Sequence, residues 1–77
     1  MINRTIFAER LIELRNSKGK MAKDVAADLN IKKATISVYE TGKGLPTVEK
    51  LCEMADYFGV SLDYLTGRSD NPNINSF

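Results

Sequence analysis

Residues 25–42 read VAADLNIKKATISVYETG. Val25, Ala26 and Leu29 make one short apolar face at helical spacing, and Ile36 and Tyr39 make another. Between them, Asn30 can take the left-handed backbone that closes a helix. Gly42 stands where the second helix has to stop, because a residue without Cβ adopts positive φ at little cost. The stretch therefore predicts two short helices about a tight turn, one from about Ala22 to Leu29 and one from about Lys33 to Glu40. Lys32 and Lys33 begin the second. A helix N-terminus already presents partial positive charge, so two cations are locally unfavourable there by about half a kcal/mol. An anion supplied from outside would reverse that sign.

On the N-terminal side, Phe7, Leu11 and Leu14 recur at i, i+4 and i+7, which predicts a helix to about Ser17 with Gly19 as its stop. On the other side Pro46-Thr47 opens a longer helix, with Thr47 as N-cap and Val48, Leu51, Ala55 and Phe58 on one face until Gly59. Ser61 caps a last short helix that Gly67 closes. These signals give an all-α domain of five helices over residues 1–67. Residues 68–77 (RSDNPNINSF) are poor in helix formers and rich in turn formers, which predicts a flexible C-terminal tail.

Composition limits the function. With 77 residues the chain is one small domain, which buries about 60% of its unfolded surface and has no room for two lobes around a substrate cleft. Cys52 is the sole cysteine, so there is no disulfide framework, and its place in an apolar-periodic stretch predicts a packed thiol. The absence of histidine removes Cys/His zinc sites and the commonest general base. No metal, cofactor or catalytic residue is expected, and the protein is not read as an enzyme. No run approaches the roughly 18 apolar residues of a membrane span, and no secretion signal is evident, so a cytoplasmic protein without a membrane partner is expected.

Net charge is only +1, yet the segment Arg15–Lys43 carries seven cations (Arg15, Lys18, Lys20, Lys23, Lys32, Lys33, Lys43) against Asp24, Asp28 and Glu40. The rest of the chain is net acidic. Such a basic block is either a solvated face or the footprint of a polyanion. Two short helices about a turn, with the basic excess on them, form the unit that places one helix in the DNA major groove.

The residues FAERLIELRNSKG (7–19), ATISVYETG (34–42), the Pro46-Thr47…Leu51 spacing and GVSLDYLTG (59–67) follow one another in the order of a known family. Over roughly residues 7–67 the sequence resembles the phage-repressor-like helix-turn-helix proteins, the XRE or Cro/CI type, and so implies a lambda-repressor-like fold. That resemblance implies that the second helix crosses the phosphate backbone and the third is the recognition helix. Lys33 and Ala34 then match the first positions reaching base edges, Val38 lies one turn further along, and Lys32 and Thr35 flank them, with Ser37 as an additional hydroxyl. The helix-3 lysines would meet DNA phosphates, the external anion their position calls for. Chemically, Lys33 can donate to guanine or phosphate, whereas Ala34 and Val38 offer only apolar contact, for instance to a thymine methyl.

The resemblance also implies a structural ion pair between Arg15 and Glu40. One departure concerns the start of helix 2. There the family has Ser or Thr and then Gln, and Met21 and Ala22 replace them, so the lost phosphate contact is expected from Lys20, Lys23 or Lys43. The function implied is a sequence-specific DNA-binding transcriptional regulator, read as a repressor, that binds double-stranded DNA at an inverted-repeat operator as a homodimer. The alternative is an antitoxin-like module of the same fold that works by binding a protein partner. Leu62, Tyr64 and Leu65, followed by Ile74 and Phe77, suggest an apolar excess near the C-terminus that fits either an isologous contact or a buried cap.

Overall fold

The computed structural model describes residues 2–73. Its helices are α1 (Arg4–Ser17), α2 (Ala22–Asp28), α3 (Lys33–Glu40), α4 (Val48–Phe58) and α5 (Leu62–Leu65), with no strand among the described residues. Three helices begin on a side-chain cap. Asn3 accepts from Ile6 N at 3.0 Å, Thr47 from Lys50 N at 3.2 Å, and Ser61 from Tyr64 N at 3.0 Å. Each satisfies one of the amides that a helix start leaves without a partner. The helices α2 and α3 lack an N-cap side-chain bond, although Asp24 Oδ2 reaches back to Met21 N at 3.0 Å. Asn30 takes φ 56° between them, so the predicted turn forms where the amide side chain tolerates it.

Phe7, Leu11, Val25, Ile36, Met54 and Leu65 are the largest fully buried side chains, drawn from all five helices. Tyr39 packs on this core, its ring edge-on to Phe7 at 6.2 Å between centroids. The α4 face differs from the predicted one. Val48 is 69% exposed, and the buried positions are Leu51, Met54 and Ala55, a stripe whose centre passes to one side of Val48. Cys52 is exposed rather than packed, since it follows Leu51 by one residue and is rotated off that stripe.

Leu65 is fully buried, and Leu62 and Tyr64 pack partly against the core. Of the apolar C-terminal residues, Leu65 therefore belongs to the cap and not to an exposed patch; Ile74 and Phe77 lie outside the described residues. Gly67 closes α5 at φ +81°, with Ile6 so near that a Cβ would fall 2.9 Å from Ile6 Cγ2. Both the backbone angle and the close approach call for glycine here.

Beyond Gly67 the segment 68–73 lies along α5 and α1. The Arg10 guanidinium stacks 4.0 Å over the Tyr64 ring, donates to Tyr64 O and Ser69 O, and pairs with Asp70 at 2.8 Å. Ser61 N donates to Pro72 O at 2.9 Å, and Ser61 Oγ to Asn71 O at 3.1 Å.

A polar cluster ties α2 to α4. Tyr57 Oη donates to Asp28 Oδ2 at 2.5 Å, Lys20 Nζ lies 3.3 Å from the same carboxylate, and Lys18 Nζ sits 5.0 Å above the Tyr57 ring. The hydrogen bond from Tyr57, followed by that from Lys20, holds the Asp28 carboxyl below its ordinary value. Burial, reinforced by Asp28, pushes the Tyr57 phenol up from 10.0 to about 12. The signs give a plateau. Asp28 contributes stability above its unfolded value and loses it as pH falls through its lowered folded value. Tyr57 contributes below 10.0 and loses its contribution as pH rises toward about 12. Unfolding of Tyr57→Phe followed from acid to alkaline pH is expected to show both limbs flattened relative to the parent. An unchanged alkaline limb would show that the phenol titrates alike in folded and unfolded chains.

Candidate nucleic-acid interface

The helix α3 packs on both α1 and α2 through its inner face. Ile36 is fully buried and Tyr39 half-buried, which leaves Lys33, Ala34, Ser37 and Val38 exposed together. Residues 33 and 37, and 34 and 38, are each one turn apart, so the four form a continuous outer face. Lys32, the N-cap residue, is exposed at its start, while Thr35 is half-buried at its edge. The electrostatics match the sequence argument. Two lysines crowd the positive end of a helix that has no capping side chain and no acid in its first turn.

The other end of α3 is fixed by Arg15. Its Nε donates to Glu40 Oε2 at 2.5 Å and its Nη2 to Glu40 Oε1 at 3.1 Å, a two-pronged pair whose side chains are 19% and 13% exposed. The bond to Glu40 raises the already high pKa of Arg15. Arg15 lies in the last turn of α1, where a cation suits the helix dipole, and Glu40 ends α3, where an anion does not. The pair thus offsets the poor placement of Glu40 and sets the angle at which α3 leaves the body.

Of the remaining candidate lysines, Lys23 is exposed on α2 and Lys43 is exposed in the loop after α3. Lys20 is placed differently. It is half-buried and engaged with Asp28 in the α2–α4 cluster, so its ammonium has a protein partner before any other anion arrives. Met21, at the start of α2, is 61% exposed and offers an apolar surface where the family pattern has a capping hydroxyl, and the half-buried Ala22 stands where it has the amide.

Two residues with structural weight escaped the sequence reading. Lys50 Nζ donates to Leu29 O at 2.9 Å and pairs with Glu53 at 2.8 Å, so a cation from α4 satisfies the carbonyl that ends α2. The second is Arg10. Each lies in a helical window as an ordinary surface charge, and only its distant partners reveal its role.

A family profile described as Helix-turn-helix matches residues 11–65. The chain belongs to the helix-turn-helix family. It is 38% identical over 60 residues to the cryptic phage CTXphi transcriptional repressor RstR of Vibrio cholerae, covering 78% of this chain and 54% of that protein. It is 36% identical over 59 residues to the transcriptional activator BcrR of Enterococcus faecalis, covering 77% of this chain and 29% of that protein. A crystal structure of a transcriptional regulator from Listeria innocua superposes with a TM-score of 0.74 at 38% identity, covering 79% of this chain and 57% of that one. The chain thus spans about half or less of the length of these relatives. The helices α2 and α3, joined by the tight turn at Asn30, lie within the matched residues. No helix among the described residues is long and apolar enough to cross a membrane, and no cluster of metal-ligating side chains occurs among them.

Proposed function

We propose that this chain is a sequence-specific DNA-binding transcriptional repressor, active in the cytoplasm, which inserts α3 into the major groove and binds an inverted-repeat operator as a homodimer. The observation that carries the reading is the outer face of α3. Lysines stand where an anion is called for, apolar side chains lie exposed one turn apart, and a paired Arg15–Glu40 fixes the whole on the body. The likeness to a phage repressor supports the direction of regulation. Occupancy alone suffices for repression, so no catalytic group is required.

In this reading Lys32, Lys23 and Lys43 contact phosphates, Lys33 reaches a base edge, and Ala34, Thr35, Ser37 and Val38 line the groove. Selection of bound duplexes from a random pool, followed by binding at several salt concentrations, tests it. An inverted repeat is expected, with affinity falling steeply as salt rises because bound phosphates release counterions. Enrichment of no sequence together with salt-insensitive binding would point to the protein-partner alternative.

The lysines separate base readout from phosphate contact. Lys33→Ala is expected to weaken the selected operator by about 1–3 kcal/mol and to relax preference at one position per half-site. Lys43→Ala is expected to weaken all duplexes alike and to reduce the magnitude of the log-affinity against log-salt slope by about 0.9 per lost phosphate contact. Titrations of both variants on matched and scrambled duplexes distinguish the two; a uniform loss for Lys33→Ala would move it to the phosphate class.

A further inference from the structure

We propose that Gly44 positions Val38 for contact with a thymine methyl group, so that a residue outside the helix-turn-helix sets a base preference. The inference rests on the DNA reading above and adds to it the residue that orients Val38 toward that methyl.

Val38 is 42% exposed on the outer face of α3, unusual for a β-branched apolar side chain with no structural need to be there. Its backbone is held from behind. Val38 O accepts from Lys43 N at 3.2 Å and from Thr41 Oγ1 at 3.0 Å, so the chain after α3 folds back onto this residue. The same return brings Gly44 against the side chain. A Cβ built on Gly44 would lie 3.0 Å from Val38 Cγ1, and apart from Gly44 and its chain neighbours no other heavy atom comes within 4 Å. The φ of Gly44 is outside the left-handed region, so its backbone does not itself demand glycine. What glycine provides at this position is room for one methyl of Val38.

A valine side chain in a helix has essentially one χ1 rotamer, so an abutting Cβ cannot be absorbed by free rotation. With Cγ1 seated against Gly44, the remainder of Val38 faces outward beside Ala34, one turn away. An apolar side chain in the major groove has one apolar base substituent to meet, the 5-methyl of thymine. Ala34 is short, which leaves the longer reach to Val38.

The test uses the duplex recovered by random-pool selection, synthesised with one thymine at a time replaced by deoxyuridine, which removes the methyl and leaves the hydrogen-bonding edge intact. For the parent chain, one thymine per half-site is expected to lose about three- to fivefold in affinity on replacement, the effect of one buried methyl. Val38→Ala should bring that ratio close to one. Gly44→Ala should change the same ratio at least twofold while the chain stays folded and the salt slope keeps its parent value, a change in base preference that a merely structural role for Gly44 would not produce. A parent ratio retained in Val38→Ala, or in a folded Gly44→Ala, overturns the proposal, as does unfolding of Gly44→Ala. If no duplex is selected at all, the DNA reading fails and this inference falls with it. If a duplex is selected and bound but is indifferent to deoxyuridine, only the inference fails.

Discussion

Arg15→Ala is expected to lower the stability of the fold by about 2–3 kcal/mol, the largest effect of any single surface-accessible substitution considered. Breaking a fully buried ion pair by removing one partner costs about 3–5 kcal/mol, and residual exposures of 19% and 13% reduce that through solvent screening. For a domain of this size such a loss is a fall in melting temperature of about 10–20 °C. The direction of the asymmetry is also predictable. Arg15→Ala leaves Glu40 unpaired at the negative end of α3. Glu40→Ala leaves Arg15 at the end of α1, where the dipole favours it and where it donates to Asn16 Oδ1 at 3.2 Å. Glu40→Ala should therefore be the milder change, and the double substitution should cost less than the two single ones added together.

DNA binding follows the same anchor. With Arg15 removed, the C-terminal end of α3 loses its two-pronged attachment to α1, and the outer face carrying Lys33, Ala34 and Val38 is no longer held at one angle. Thermal unfolding and duplex titration of the same sample decide the matter. An unchanged melting temperature with lost binding would falsify the structural role and make Arg15 a direct phosphate contact.

The parts of this molecule that could be read from sequence are those encoded by near neighbours. Thr47, Ser61, Asn30, Gly42, Gly59 and Gly67 act through backbone groups a few residues away, so the helix limits they set agree with the observed ones to within about a residue. The outer face of α3 was legible for the same reason, since residues 33, 34, 37 and 38 follow from the helical period once Ile36 is taken as buried. Positions that depend on where other helices lie were not legible. Val48 and Cys52 fit or adjoin an apolar stripe, but the face of α4 that enters the core runs through Leu51, Met54 and Ala55, and the two residues stay exposed. Arg10 and Lys50 find partners 59 and 21 residues away, at Ser69 and Leu29. Nothing in their own windows marks them. The contact of Gly44 with Val38 spans only six positions, yet it depends on the path of the loop and not on a helical period.

Removing one half of the selected inverted repeat is expected to lower affinity by about two to three orders of magnitude, bringing it toward the level of non-specific DNA. On the DNA reading proposed above, a single α3 would present four exposed side chains to the groove, of which only Lys33 and Ser37 can hydrogen-bond to a base edge. One or two such contacts, each of about 1–3 kcal/mol, reach at best the lower part of the roughly 4–10 kcal/mol that separates specific from non-specific binding. Two copies on one face of the duplex double the contacts, with half-sites about 34 Å apart so that each α3 enters a successive major groove. Leu65 is buried and takes no part in pairing. The apolar surface still available beside α5 is an open groove of about 190 Å³, lined by Ile2, Val48, Leu51 and Leu62. On the homodimer reading proposed above, the operator would add affinity by holding the two copies side by side. Binding should accordingly be cooperative, and inserting five base pairs between half-sites should abolish the cooperativity by turning the second groove to the opposite face. Sedimentation of the complex measures the stoichiometry directly. One chain per duplex at saturation, with full discrimination retained on an isolated half-site, would require a single α3 to supply more readout than its exposed side chains can make, and the homodimer reading would be abandoned.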